Sequence, residues 1–161
     1  MQLESERTLA VLQKALWNKG IAEADEALFG EMKAHAVASL AAPVLGELSL
    51  TQELLSSWKK YVVQHVYQYQ NMLYQQSVLP VSVPYVILKG TSAGRYYPHP
   101  EYRAYGDIDI MTRHEDYQAA CEELANNGYC EVTNAVDVQV NRHREFERDG
   151  IHVEVHYFYA L

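Results

Sequence analysis

The sequence predicts an α+β fold, in which a helical N-terminal part, residues 1–79, packs on a small mixed β-sheet with flanking helices, residues 80–161. Three observations lead there. From Glu4 to Leu79 apolar residues recur three and four apart, with Pro43 as the one proline in that stretch. From Pro80 onward the pattern changes to short β-branched runs separated by Gly, Pro, Asn-Gly and Asp-Gly. A length of 161 residues, with 48% hydrophobic and 21% charged, gives room for one compact domain or a small domain with a helical extension, and excludes a wholly disordered chain.

The elements follow in order. Leu9, Leu12, Leu16 and Trp17 stripe a first helix, and Ala27, Leu28, Met32, Ala36, Val37 and Leu40 a second. Ser49 followed by Gln52 reads as a capping box that opens a third. Its stripe, Leu54, Leu55, Trp58, Tyr61, Val62, Val66, Tyr69, Met72 and Leu73, is expected to be core. Pro80 and Pro84 punctuate an entry loop into a strand at Tyr85 to Leu88. After it, Gly90-Thr91-Ser92-Ala93-Gly94 predicts a tight turn into a short helix that Pro98 and Pro100 end. Asp107 to Thr112 is a strand, Glu115 to Asn127 a helix capped by Asn127-Gly128, and Tyr129 to Thr133 extended. Arg144 to Arg148 and Ile151 to Tyr157 form a hairpin about the Asp149-Gly150 turn. The closing aromatics Tyr157, Phe158 and Tyr159 have nothing after them to cover them, which leads us to expect a partner chain or a further domain there, the core being truncated at its C-terminus.

A net charge of −8 excludes a broad basic surface, so long nucleic acid is not an expected partner and any nucleotide must be gripped locally. Two cysteines, Cys121 and Cys130, make no disulfide framework and no common zinc pattern. No apolar run reaches the ~18 residues of a membrane span and no secretory signal opens the chain, so the expected location is cytoplasmic. Thirteen tyrosines, against three phenylalanines and two tryptophans, suit half-buried packing surfaces.

Chemistry concentrates in two alternating runs. In Gly106-Asp107-Ile108-Asp109-Ile110, Asp107 and Asp109 project from one face of a strand while the isoleucines enter the core. In Ile151-His152-Val153-Glu154-Val155-His156 the same alternation places Glu154 between two histidines on the polar face. If the two strands are neighbours, Asp107, Asp109 and Glu154 make an acidic cluster for one or two Mg2+ ions, which prefer hard oxygen ligands and bridge to phosphates. Asp109 is expected to face solvent. Upstream, the Lys89-Gly90-Thr91-Ser92 turn offers backbone amides and two hydroxyls to a triphosphate. Taken alone, the acid pair reads rather as a solvated strand face and the turn as an ordinary strand-to-helix connection.

These motifs together (Leu88-Lys89-Gly90, a small-residue helix, Arg103 ahead of Gly106-Asp107-Ile108-Asp109-Ile110, a helix ending Asn127-Gly128-Tyr129, and Val153-Glu154-Val155-His156) resemble the polymerase-beta-like nucleotidyltransferase superfamily, and most closely its bacterial nucleotidyltransferase branch. The resemblance spans about Pro84 to His156. It implies a nucleotidyltransferase-like α/β core and a metal-dependent enzyme that moves a nucleoside monophosphate from an NTP to a small-molecule or protein hydroxyl, with Mg2+ or Mn2+ as cofactor. Asp107, Asp109 and Glu154 would be the catalytic metal ligands, Glu154 also helping to deprotonate the acceptor. Gly90 with Thr91 or Ser92 would line the nucleotide, and Lys89 and Arg103 would neutralise phosphate. The sequence departs from the usual pattern in having Gly-Thr where Gly-Ser is commonest, a longer interval from Gly90 to Asp107, and glutamate at the third carboxylate.

Two other readings compete. One is a catalytically degenerate fold that binds nucleotide or protein. The other is a Zn2+ or Mn2+ hydrolase built on His152, Glu154 and His156, with His143 nearby. Histidines four apart in a strand are about 13 Å apart by rise alone, too far for both to bind one ion.

Overall fold

The structure, a computed structural model, describes residues 2–20, 22–132 and 143–157. Its elements are α1 (Gln2–Trp17), α2 (Glu26–Ala34), a 3-10 segment (Ala38–Val44), α3 (Gln52–Ser77), β1 (Tyr85–Ile87), α4 (Gly90–Gly94), 3-10 turns at Pro100–Tyr102 and His114–Asp116, β2 (Ile108–Thr112), α5 (Tyr117–Asn126), β3 (Cys130–Glu131), β4 (His143–Arg148) and β5 (Ile151–His156). Helices and a mixed five-stranded sheet make the α+β class that the sequence predicts. The chain divides into two compact units, residues 1–71 with 95–105, and residues 72–94 with 106–161. No helix among the described residues is long and apolar enough to cross a membrane.

The first unit is helical. Its core gathers Val11, Leu28, Phe29, Met32, Val44, Leu45 and Trp58. Trp58 stacks on Phe29 at 4.7 Å between centroids, and its indole N–H donates to the Ala38 carbonyl at 2.7 Å, which satisfies the polar end of a fully buried ring. Two helix boundaries differ from those the sequence predicts. The second stripe does not run on to Leu40, because α2 stops at Ala34. Ala36 takes a left-handed φ of 56°, its amide donates to Lys33 O and that of Val37 to Met32 O, a closing geometry usually built on glycine. At α3 the side-chain cap is Thr51, not Ser49: its hydroxyl accepts from the Leu54 amide at 3.2 Å.

The second unit holds the sheet, in the order β1-β2-β5-β4-β3. β2 runs antiparallel to β1 and parallel to β5, and β5 is antiparallel to β4. The hairpin turn has positive φ at both Asp149 (54°) and Gly150 (76°), the two-residue form that suits strand twist. It fixes the β4–β5 register from Arg148 opposite Ile151 to His143 opposite His156. One face of the sheet is apolar: Ile108, Ile110, Phe146, Val153 and Val155 are all buried, and α5 packs over β4 and β5 with Ala120, Cys121 and Leu124 buried. α5 ends as expected. Gly128, at φ 84°, donates to Ala125 O and Tyr129 to Leu124 O.

Smaller differences follow from local chemistry. α4 finishes at Gly94, ahead of the prolines, and Pro100 opens a 3-10 turn instead of ending a helix, its fixed φ suiting a first helical position. The extended run after α5 is a strand at Cys130–Glu131, with the Val132 amide still donating to Glu145 O at 2.9 Å, and its predicted end, Thr133, lies outside the described residues. Of the closing aromatics, Tyr157 rests against the rings of His114 and Tyr117, while Phe158 and Tyr159 lie outside the described residues.

Candidate functional site

The opposite face of the same sheet is polar, and the parallel pairing of β2 with β5 sets its centre. Asp109 lies in register with Glu154, so two carboxylates stand side by side on adjacent strands. Asp107 is one strand period back on the same face. Ligand atoms of Asp107, Asp109 and Glu154 all lie within 4.8 Å of one another. The adjacency that the alternating runs require is therefore present, although the two strands are far apart in the chain.

Each carboxylate has a different environment. Burial, foremost, and the charges of Asp109 and Glu154 push the Asp107 carboxyl above its usual range. Glu154 goes the other way: hydrogen bonding from His156, with the charge of His143 adding, outweighs burial and holds it down to about 2. Asp109 is not solvent-facing as the sequence reading expected; its side chain is only 1% exposed. Two long-range partners cover it. Lys89 Nζ donates to Asp109 Oδ1 at 2.8 Å, and His156 Nε2 lies 3.2 Å from the same oxygen and 3.1 Å from Glu154 Oε2.

The glycine turn adjoins this cluster. Gly90 has φ +49° and opens α4 directly after β1; a Cβ there would stand 3.9 Å from the Asp107 carbonyl oxygen. The Ser92 amide closes the turn on Lys89 O at 3.0 Å. The Thr91 hydroxyl donates to Gln76 Oε1 at 2.7 Å, which turns it toward the end of α3. Lys89 reaches Asp109. Arg103 belongs to the other unit, where its guanidinium lies 5.2 Å from the Tyr105 ring centroid and 5.9 Å from that of Tyr97.

The donor set fits a hard divalent cation. Three carboxylates converge on one spot, and the Asp107 carboxyl is raised by burial first and by the charges of Asp109 and Glu154 second, charges that a cation would offset. Residues 22–158 match a family described as "Uncharacterised nucleotidyltransferase". The chain belongs to that family. No curated protein and no solved structure matches the chain. The description of the family names the general chemistry, nucleotidyl transfer.

Sequence reading missed one feature of the polar face. It paired His152 with His156 and rejected a shared ion on distance. Across the hairpin, however, His143 is the residue opposite His156, their ring centroids 5.1 Å apart. His152 instead lies 2.7 Å, Nδ1 to Oε1, from Glu145. The signal was available: a two-residue turn that sets Arg148 opposite Ile151 also sets His143 opposite His156.

Proposed function

We propose that this protein is a metal-dependent nucleotidyltransferase that transfers a nucleoside monophosphate from an NTP to a hydroxyl on a small molecule or a protein. Asp107, Asp109 and Glu154 are the residues that would hold Mg2+ or Mn2+. The observation that carries this reading is the convergence of their three carboxylates beside the Gly90 turn. When bound, the cation supplies charge neutralisation to the triphosphate and Lewis-acid polarisation at phosphorus.

The protein's own groups do the rest. Asp109, buried and in register with Glu154, is oriented by Lys89 and His156, which compensate its charge before a cation binds. Glu154, held low by the hydrogen bond from His156, stays ionised at neutral pH and so is available as an anionic ligand. Lys89, 57% exposed at its side chain, can swing from Asp109 to a phosphate oxygen without crossing a packed core. Backbone amides at the Gly90 turn and the Ser92 hydroxyl are the local phosphate donors, which suits a protein of net charge −8. Thr91, bonded to Gln76, serves the turn's shape. The acidity of the whole chain favours a small-molecule or protein acceptor over long nucleic acid.

The test uses α-labelled NTPs with Mg2+ and a panel of hydroxyl acceptors. Transfer of label with release of pyrophosphate, abolished in Asp107→Asn, is the expected result. Nucleotide binding without transfer to any acceptor would move the protein to the competing class, a degenerate fold that binds nucleotide or protein.

A further inference from the structure

We propose that the polar face carries a second cation site of a different chemical kind, formed by His143, Glu154 and His156, which takes a Zn2+-class transition ion and not Mg2+. One ligand atom from each of these residues lies within 4.8 Å of the others. The two imidazoles come from opposite strands of a hairpin whose register the Asp149-Gly150 turn fixes, so their separation is set by the backbone. His156 is 11% exposed at its side chain and its Nε2 already stands 3.1 Å from Glu154 Oε2, an ordinary spacing for two ligands of one ion. Neither histidine is carried on a loose surface element.

The donor set decides the ion. Two imidazole nitrogens and one carboxylate oxygen suit Zn2+, Co2+ or Mn2+, whereas an all-oxygen set such as Asp107, Asp109 and Glu154 suits Mg2+. Three protein ligands leave at least one coordination position for water or a substrate atom. Glu154 has two oxygens and belongs to both groups, so occupancy of the histidine site positions the carboxylate that the neighbouring oxygen cluster also uses. The site does not require nucleotidyl transfer to occur, and it can stand or fall separately from that reading.

Co2+ is the probe, added to the full chain, because its visible d–d bands report coordination number and geometry and its binding is measured without any substrate. The expected result is one Co2+ bound and not displaced by excess Mg2+. His143→Gln should weaken it roughly 10–100-fold or more, the loss known for even an outer partner of a metal, whereas Asp107→Asn should leave it in place. Equal Co2+ affinity in His143→Gln and the native chain would overturn the site, as would loss of Co2+ in Asp107→Asn alone, which would put the ion among the carboxylates. A measurement without any variant guards against a folding defect. On adding Zn2+, the ring-nitrogen resonances of His143 and His156 should shift in long-range 1H–15N spectra while those of His152 do not. Unmoved His143 and His156 resonances would contradict the proposal. Loss of nucleotide binding in Asp107→Asn with Co2+ retained separates failure of one site from failure of the other.

Discussion

The two faces of the sheet obey opposite rules although the same strands build both. On the α5 side, Ile108, Ile110, Phe146, Val153 and Val155 are packed out of water, and each contributes by burial. On the other side, Asp107, Asp109 and Glu154 crowd together, and one carboxyl is pushed up by burial and its neighbours' charge. A fold selected for stability alone would not place two carboxylates in register on adjacent strands. The apolar face specifies the structure, while the polar face crowds three carboxylates that Lys89 and His156 partly compensate and that leave Asp107 raised by burial and by its neighbours' charge.

That contrast can be broken from either side. Asp107→Asn should have the largest effect, lowering Mg2+-dependent nucleotide affinity by more than the roughly 10–100-fold that loss of an outer-shell partner costs. Its urea unfolding midpoint should stay the same or rise, since the change removes repulsion. On the apolar face the pattern should invert. Phe146→Ala, at a fully buried position, should cost about 3–5 kcal/mol in urea unfolding while any folded fraction keeps its nucleotide affinity.

Lys89→Met sharpens the comparison between protein and metal as counter-charge. It strips Asp109 of its ammonium partner, and a buried carboxylate left short of a partner costs about 1–3 kcal/mol. Thermal melts in EDTA should fall accordingly, and Mg2+ should raise the melting temperature more in the variant than in the native chain. No change in EDTA would mean that the ion pair does not matter to the cluster.

The smallest effect lies at the edge of the apolar face. There Arg144 donates to both oxygens of Glu131, Nε to Oε1 at 2.6 Å, and those bonds hold the Glu131 carboxyl below its usual value of 4.5. A lowered carboxyl stabilises the fold fully above 4.5, and that contribution is lost as pH falls through the lower folded value. Both side chains are a quarter to a third exposed, so the effect should be under about 1 kcal/mol. Arg144→Met should therefore lower stability slightly at neutral pH and converge with the native chain in acid, so that the acid side of its stability-against-pH curve is flatter.

Much of this was legible in the chain itself. The alternation in Asp107 to Ile110 and in Ile151 to His156 gave both faces, and Asp149-Gly150 gave the hairpin together with its register, which is information enough to pair His143 with His156. What could not be read depends on partners remote in sequence. Asp109 looks solvent-facing until β1 delivers Lys89 and β5 delivers His156. The end of α2 was hidden for a different reason: Ala36 takes a conformation that costs a non-glycine residue roughly 1–2 kcal/mol, so no glycine marked it. The parallel placement of β2 beside β5 is likewise non-local, and alternation alone leaves it open.

In the proposed function the carboxylates of the polar face bind nucleoside triphosphate through a divalent ion. Titration calorimetry of a non-hydrolysable NTP analogue into the native chain and Asp107→Asn, each with Mg2+ and with EDTA, tests it most directly. Binding is expected only for the native chain with Mg2+; equal affinity in all four conditions, or in both chains with Mg2+, would contradict a metal-bridged nucleotide.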